Sequence, residues 1–220
     1  MITAVCFDLD GTLIDSTEAI VESFYHTFDT FNEPRPPRDA IVNSIGYVLE
    51  EQFALLSTHD PVECTKVYRA YYETICCPKT TLMPGTRECL QALHDAGLEI
   101  AFATSKRRKY SEMILEHLGV LDFFSVRLGP DDVSKPKPDP EVVLKACEML
   151  HVTPQQLLFV GDMHFDVLAA REAGVRCLCV TTGYATREEL EALEPERVFD
   201  GLDQLTAYVV DNVLGAMPAK

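Results

Sequence analysis

The chain has 220 residues, of which 47% are hydrophobic and 25% are charged, as in an ordinary globular protein. This length suits one large domain, or a core domain with a smaller insert. The formal net charge is −16, and such a surface repels nucleic acids and anionic membranes, because both are bound through clustered lysine and arginine. We therefore expect no nucleic acid and no membrane among the partners.

Short apolar runs alternate with helical periodicity along most of the chain. Nearly continuous apolar runs are typical of parallel strands covered on both faces, and they occur at 4–7, 98–103, 157–160 and 175–181. Helical patterns that stop at glycine or follow proline occupy about 86–96, 106–118, 141–150 and 165–173, and a helix, a short strand and a closing helix follow at 187–193, 198–199 and 202–214. This alternation predicts an α/β fold with right-handed βαβ units and a doubly wound, Rossmann-like parallel sheet.

One segment interrupts the alternation. Residues 17–79 contain amphipathic helical patterns and no convincing strand, and the run Pro34-Arg35-Pro36-Pro37 punctuates them. We predict a small helical cap domain at 17–79, inserted into a core domain formed by 1–16 and 80–220.

Cysteine usage and hydropathy indicate the cellular compartment of the protein. The eight cysteines form no Cys-x-x-Cys pair, and several lie in apolar runs, as small buried side chains do in a reducing compartment. The N-terminus lacks the basic region of a signal peptide, and no apolar stretch approaches the length of a bilayer span. We predict a cytoplasmic protein.

Polar residues follow three of the predicted strands and the stretch near Val126. In open α/β sheets the ligand site lies beyond the carboxyl ends of the strands, so side chains that follow different strands are expected to meet there. The four clusters are Asp8 with Asp10 and Thr12, then Thr104-Ser105-Lys106, then Lys135, and finally Asp162 with Asp166.

The aspartates of these clusters favour a magnesium site. Asp8 and Asp10 flank Leu9, so in extended backbone both carboxylates project to the same side, and Asp162 adds a third from another strand end. Neighbouring carboxylates repel one another unless a cation lies between them. Hard oxygen ligands without histidine or cysteine suit Mg²⁺.

These residues also resemble a known family. The segment Phe7-Asp8-Leu9-Asp10-Gly11-Thr12-Leu13 resembles the first motif of the haloacid dehalogenase-like superfamily of phosphotransferases. Thr104, the run 135–140 and the run 161–166 resemble its second, third and fourth motifs, in order and at suitable spacing. Within the superfamily the chain most resembles the phosphoglycolate-phosphatase-like branch. Met163 departs from many relatives, which carry serine there.

The resemblance implies a role for each residue. Asp8 would attack phosphorus to form an aspartyl-phosphate, and Asp10 would serve as general acid and then general base. Mg²⁺ would be bound by the side chains of Asp8 and Asp162 and by Asp10 through its backbone carbonyl. Thr104, Ser105 and Lys135 would hold the phosphoryl oxygens, while Asp166 and Thr12 would support this set from behind. Taken alone, the sequence of Lys135 before Pro136 favours a turn lysine.

Specificity is expected to come from the cap. Ser44-Ile45-Gly46-Tyr47 resembles the family's specificity loop, in which Gly46 permits an unusual backbone turn and Tyr47 follows it, although an ordinary helix break explains the sequence equally well. In the run 106–109, Lys106 alone is expected to lie near the site. A substrate anion could be met by any of five side chains, among which spacing does not select: His26, Arg35, Arg38, Lys66 and Arg69.

Several functions remain open at this stage. A phosphatase acting on a small phosphorylated metabolite, phosphoglycolate-like or a sugar phosphate, is favoured, as a monomer or homodimer. A phosphomutase of the β-phosphoglucomutase type shares the same core but requires an aspartyl-phosphate that outlives substrate exchange. A dehalogenase is disfavoured because it needs neither Asp10 nor a metal, and a non-catalytic binding module is disfavoured by the presence of all four clusters.

Overall fold

The computed structural model describes residues 1–214, and these contain eight strands and ten α-helices. The strands are Ala4–Phe7 (β1), Ile14–Asp15 (β2), Thr81–Leu82 (β3), Glu99–Ala103 (β4), Val126–Leu128 (β5), Leu157–Gly161 (β6), Arg176–Val180 (β7) and Arg197–Phe199 (β8). The helices are Thr17–Thr30 (α1), Arg38–Val42 (α2), Leu49–Leu56 (α3), Pro61–Ile75 (α4), Thr86–Asp95 (α5), Arg108–His117 (α6), Glu141–Leu150 (α7), His164–Glu172 (α8), Arg187–Glu191 (α9) and Leu202–Tyr208 (α10).

Six of the strands form one parallel sheet in the order β5-β4-β1-β6-β7-β8. The chain builds outward from β1 through β4 to β5, then crosses to β6 on the other side of β1. This confirms the predicted doubly wound α/β fold. The reversal lies at β1, so the crevice where such sheets bind ligands opens beside the carboxyl ends of β1, β4 and β6.

Helices cover both faces of the sheet, which explains why its strands are apolar throughout. Val5 and Phe7 pack into the cluster that contains the buried faces of α5, α6 and α10, whereas Ala4 and Cys6 pack into the cluster of α7, α8 and α9. All four side chains are fully buried. The central strand is therefore held rigidly between two layers, and the residue that follows it has a fixed position.

Residues 17–79 contain helices α1 to α4 and no strand, as the sequence predicts. The four helices pack around a core that includes Phe24, Phe53 and Tyr68, with the rings of Phe24 and Phe53 4.6 Å apart. The antiparallel pair of β2 and β3, in which Ile14 lies opposite Leu82, brings together the two ends of this segment. The sequence does not reveal that pair, because each of the two strands has only two residues.

The ends of two helices, α6 and the closing helix, differ from the predictions. Helix α6 begins at Arg108 rather than at 106, because the backbone N–H of Lys106 donates to Thr104 Oγ1 (3.2 Å) in a loop. The closing helix is α-helical only to Tyr208 and continues as a π-helical turn over Val209–Leu214. Within residues 1–214 we find no helix with the length and apolar character of a membrane span.

Candidate active site

The site begins where β1, β4 and β6 end side by side. Phe7 pairs with Phe102 on one side and with Val160 on the other, so Asp8, Thr104 and Asp162 emerge at one edge of the sheet. The three side chains are 7%, 4% and 0% exposed. Convergence of these residues, expected from the sequence, is thus present in the structure.

Three carboxylates form a compact buried cluster. One oxygen from each of Asp8, Asp162 and Asp166 lies within 4.8 Å of the other two. Burial raises the pKa of Asp8 to about 7, although Lys137 opposes the change. Burial, together with the charges of Asp166 and Asp8, also holds the pKa of Asp162 well above its ordinary value. The cluster therefore resists carrying three negative charges at once.

A lysine lies inside this cluster, but it is not the predicted one. The ammonium of Lys137 donates to Asp8 Oδ1 and to Asp166 Oδ1, at 2.7 Å in both cases, and its side chain is 4% exposed. Burial acts to lower the pKa of Lys137, but the two carboxylates outweigh burial and raise it. Lys137 thus remains charged and compensates part of the negative charge around it.

The prediction that Lys135 lies in the site is wrong. Its side chain is 70% exposed, and its ammonium lies 3.5 Å from Asp139. The backbone there is held by Glu141 at the start of α7, whose carboxylate accepts from the N–H groups of Ser134 and Lys135. Because of this attachment Lys135 lies outside the site, and the chain turns toward the acidic cluster only at Lys137. Both lysines precede a proline, so the local sequence does not distinguish them.

Asp162 is fixed from two sides. Thr12 Oγ1 donates to Asp162 Oδ1 (2.9 Å), and the backbone N–H of Tyr184 donates to Oδ2 (3.0 Å). The loop that carries Tyr184 approaches so closely that a Cβ on Gly183 would lie 1.8 Å from Asp162 Oδ2. Thr12 was among the predicted supporting residues, whereas Gly183 and Tyr184 carry no motif that marks them in the sequence.

Asp166 bridges the lysine and the fourth motif. Its Oδ1 accepts from Lys137, while its Oδ2 accepts from the backbone N–H groups of Asp162 (3.2 Å) and Met163 (3.1 Å). This places Asp166 at the first turn of α8, where a carboxylate is favoured by the orphan amides and the helix dipole. The predicted supporting position of Asp166 therefore coincides with a role in starting the helix.

The carboxylate of Asp10 is directed away from the acidic cluster. Its Oδ2 lies 3.0 Å from the ammonium of Lys106, and its Oδ1 accepts from the hydroxyl of Ser16. Burial acts to lower the pKa of Lys106, and Asp10 more than offsets this and raises it. Asp10 therefore faces the cavity with a fixed orientation, and its side chain lies outside the acidic cluster. The metal ligand that the resemblance implies at this position is the backbone carbonyl of Asp10, not its carboxylate.

The chemistry of the cluster fits a divalent cation. Asp8, Asp162 and Asp166 offer hard oxygen ligands only, and the single ammonium of Lys137 leaves their negative charge incompletely balanced. Such a set suits Mg²⁺ or a similar ion better than zinc, which takes nitrogen and sulfur ligands. Asp8 and Asp162 are the two side chains that the resemblance implies as ligands, and Asp166 adds a third carboxylate to the cluster.

A cavity of about 280 Å³ lies over these groups, between the sheet edge and helices α1, α3 and α4 with the loop that precedes α3. Thr104, Ser105 and Lys106 line it from the β4 side, and Gly46 and Tyr47 line it from the helical segment. The backbone of Gly46 has φ +103°, and a Cβ there would lie 2.9 Å from Met163 Sδ. Gly46 is therefore required by its left-handed conformation and by its close contact with the fourth motif.

Of the five candidate anion-binding side chains, only Arg69 lines the cavity. Three of the others form ion pairs on the surface, Arg35 with Asp29, Arg38 with Glu18 and Lys66 with Glu63. The imidazole of His26 stacks on Tyr71, with ring centroids 4.0 Å apart. The structure therefore selects one residue from a set that the sequence could not order.

Known proteins with similar sequences and structures place the chain in a family. Residues 5–180 match the family model described as haloacid dehalogenase-like hydrolase. The chain is 33% identical over 204 residues to the protein named pyrophosphatase PpaX of Bacillus velezensis, covering 93% of this chain and 94% of the relative. A relative from Clostridium perfringens with the same kind of name is 34% identical over 200 residues, covering 91% and 94%.

Solved structures agree. A haloacid dehalogenase-like hydrolase from Bacteroides fragilis superposes with a TM-score of 0.89 at 31% identity, covering 93% of this chain and all of that one. A predicted phosphoglycolate phosphatase from Haemophilus somnus gives 0.87 at 27% identity, covering 94% and 98%. The resemblance inferred from four short motifs is confirmed across the matched range. The chain belongs to the haloacid dehalogenase-like hydrolases and is an enzyme of the phosphatase class.

Proposed function

We propose that the enzyme is a Mg²⁺-dependent phosphatase that hydrolyses a small phosphorylated metabolite through an aspartyl-phosphate. The observation that carries this proposal is the position of Asp8. Its carboxylate lies at the floor of the cavity, beside Lys137 and within the acidic cluster. A buried carboxylate with a fixed orientation and an open side is suited to nucleophilic attack.

The reaction proceeds in two displacements. Asp8 attacks phosphorus, the bond from phosphorus to the leaving oxygen breaks, and Asp10 gives that oxygen a proton. Water then attacks the aspartyl-phosphate, Asp10 takes a proton from that water, the bond from phosphorus to Asp8 breaks, and Asp8 is released with inorganic phosphate. Ser16 and Lys106 orient Asp10 in both steps.

The surrounding groups bind the phosphoryl oxygens and balance their charge. Thr104 and Ser105 line the cavity at the end of β4, and Lys137 takes the place proposed from the sequence for Lys135. Mg²⁺ would be held by Asp8 and Asp162, with Asp166 or the backbone carbonyl of Asp10 as a further ligand. When bound it neutralises negative charge on the phosphoryl oxygens.

Residues 17–79 act as a cap over this site, hinged near Ser16 and near 79–82. This hinge is supported by the pairing of β2 with β3, which lie side by side where the chain enters and leaves the helical segment. One small rotation of the segment about this pair would open the cavity. A cytoplasmic location is supported by eight unpaired cysteines, of which seven are buried.

The names of the relatives suggest substrates to compare. Pyrophosphate and phosphoglycolate follow from those names, and sugar phosphates follow from the resemblance in sequence. A phosphomutase of the β-phosphoglucomutase type would use the same residues and would differ in retaining the phosphoryl group on Asp8.

The test is release of phosphate from 4-nitrophenyl phosphate with Mg²⁺, with EDTA, and with the variant Asp8→Asn. We expect loss of release with EDTA and with the variant, whereas Asp122→Asn, an equal change in charge at an exposed position, should behave as wild type. Acid-quenched Asp10→Asn protein should carry phosphate that hydroxylamine removes. Full activity in Asp8→Asn would overturn the assignment of the nucleophile, and isomerisation of a sugar 1-phosphate without phosphate release would favour the mutase.

A further inference from the structure

Resting on the proposed function, we infer the chemical class of the substrate: a phosphate monoester with an uncharged leaving group that presents an apolar ring face. On this inference the leaving group carries neither a second phosphate nor a carboxylate. Pyrophosphate and phosphoglycolate, the substrates that the relatives' names suggest, would therefore both be poor substrates.

The first observation is that no cationic group in the cavity is free. Within the described residues 1–214, four lysine or arginine side chains line the cavity, and each lies close to a carboxylate. The pairs are Arg69 with Glu50 (3.0 Å), Lys106 with Asp10 (3.0 Å), Arg107 with Asp131 (3.1 Å), and Lys137 with both Asp8 and Asp166 (2.7 Å).

The balance of charge limits the ligand to one phosphate. Five carboxylates and four cations line the cavity, and Asp162 adds a sixth carboxylate to the cluster that would hold the ion, so with a bound divalent ion the formal charges cancel. A single phosphoryl group of about −1.5 to −2 charges already makes the loaded site negative, and a second anion would add to that charge. A second anion would have to compete with the carboxylate that each lysine or arginine already contacts, and the cost is largest at the buried pairs of Lys106 and Lys137.

The second observation is that the wall facing the phosphoryl site is aromatic. We call this set the aromatic wall: Tyr47, Tyr68, Tyr72, Tyr110 and Phe165. Its rings pack on one another, Tyr68 stacked on Tyr72 (5.4 Å, 13°) and Tyr47 edge-on to Phe165 (4.9 Å, 83°). The remaining lining from the helical segment includes Ile20, Ile45, Val48 and Leu49.

Most polar groups near the aromatic wall are already engaged. The Tyr72 hydroxyl accepts from Lys106 (2.7 Å), and the Tyr110 hydroxyl donates to the carbonyl of Arg69 (3.4 Å). The amide of Gln52 donates to the Tyr47 carbonyl (2.9 Å) and accepts from Ser44 (3.1 Å). Among the described residues the hydroxyls of Tyr47 and Tyr68, which both line the cavity, make no such bond, which leaves two polar groups to meet a substrate hydroxyl.

The volume of the cavity limits the size of the substrate. A volume of about 280 Å³ lies at the lower end of ligand cavities, for which ~300–1,000 Å³ is typical. It accommodates a phosphoryl group and one ring. Two kinds of ring share the required chemistry: an aromatic alcohol, and a neutral sugar whose apolar face stacks on aromatic side chains.

The test compares three phosphate monoesters that release alcohols with pyrophosphate, an anhydride whose more acidic leaving group makes it intrinsically the more reactive, so slower release from pyrophosphate cannot come from intrinsic reactivity. The probes are benzyl phosphate, a hexose 6-phosphate, phosphoglycolate and pyrophosphate, each assayed for phosphate release with Mg²⁺. We expect kcat/KM for benzyl phosphate or the hexose ester to exceed that for phosphoglycolate and pyrophosphate at least tenfold. The better of the two ring esters identifies which kind of ring is bound.

A charge variant tests the first observation. Glu50→Gln frees Arg69 inside the cavity, so kcat/KM for phosphoglycolate relative to benzyl phosphate should rise about fivefold or more, as expected for one charge pair in a partly buried site. Glu63→Gln is the matched control, because it makes the same change in net charge and removes only the surface pair with Lys66. That variant should leave the ratio unchanged.

A ring variant tests the second observation. Tyr47→Ala removes a half-exposed member of the aromatic wall, and KM for the preferred ring ester should rise about fivefold, as expected for one aromatic contact. Tyr25→Ala on α1, a half-buried tyrosine that does not line the cavity, is the control and should leave KM unchanged. Thermal melting of each variant shows that it is folded.

The outcomes separate this inference from the function on which it rests. No phosphate release from any ester would overturn the proposed phosphatase. Release that is fastest from pyrophosphate or phosphoglycolate would leave the phosphatase standing and overturn the uncharged, ring-bearing leaving group. An unchanged substrate ratio in a folded Glu50→Gln enzyme would likewise overturn the charge argument.

Discussion

The ammonium of Lys137 lies 2.7 Å from the Asp8 carboxylate, deep under the cavity. One of the two partners is the proposed nucleophile, and the other is the only cation in contact with the acidic cluster among the described residues. Without Lys137, Asp8 and Asp166 would face each other across a buried space with uncompensated charge, which is strongly unfavourable. The pair therefore links the stability of the site to its chemistry.

Replacing Lys137 by methionine should reduce kcat/KM for a generic aryl phosphate by ~10²–10³-fold, the usual loss when a preorganised charge is removed from an active site. Lys135→Met is the matched control in the same loop and should retain wild-type activity, because that side chain is exposed. Steady-state kinetics of both variants decides the question. Equal losses in the two variants would contradict the assignment of Lys137.

The two lysines also show which features of the site can be predicted from the sequence and which cannot. Strand ends, helix patterns and motif order predicted the α/β sheet and brought Asp8, Thr104 and Asp162 to one edge, because apolar periodicity and parallel topology are properties of sequence. The choice between Lys135 and Lys137 depends on where a loop turns, and Glu141 sets this by binding the backbone of Ser134 and Lys135. Such a side-chain attachment leaves no periodic signal.

Gly183 illustrates a second kind of limit. Its position is dictated by the lack of space beside Asp162, where a Cβ would lie 1.8 Å from Oδ2, and crowding between distant segments is not visible in a single sequence. The same is true of the aromatic wall, which combines Tyr47, Tyr68 and Tyr72 of the inserted segment with Tyr110 on α6 and Phe165 on α8. Tyr68 and Tyr72 lie one turn apart on α4, and this spacing is explained equally well by core packing.

Gly183→Ala should displace Asp162 and weaken metal binding. We expect at least a tenfold higher Mg²⁺ requirement for activity, as with other changes to the support of a metal ligand. Gly201→Ala is the matched control, because its Cβ would meet only Thr182 Cγ2 at 3.8 Å and its extended backbone suits alanine. Titration of activity with Mg²⁺ measures both. A normal Mg²⁺ requirement in Gly183→Ala would show that the loop yields without moving Asp162.

Ser16→Ala should lower kcat with little change in KM. The Ser16 hydroxyl donates to Asp10 Oδ1, and loss of a hydrogen bond to a charged group that acts in proton transfer reduces the rate about tenfold. Ser125→Ala, at an exposed position near the edge of the sheet, should match wild type. The separation of kcat from KM distinguishes orientation of Asp10 from substrate binding, and a rise in KM alone would contradict the orienting role.

Metal affinity should depend on pH through Asp8. In the metal-free protein, burial raises the pKa of Asp8 to about 7, so below that pH the carboxyl holds a proton that Mg²⁺ must displace. Affinity should therefore be highest above pH ~7 and weaken by up to about tenfold per pH unit as the pH falls through this value. Calorimetric titration with Mg²⁺ between pH ~5.5 and ~8, together with the melting temperature with and without the ion, measures the effect. Asp8→Asn cannot titrate, so its weaker affinity should vary less with pH. Wild-type affinity that stays constant across this range would mean that Asp8 is ionised throughout, and its burial would then not control metal binding.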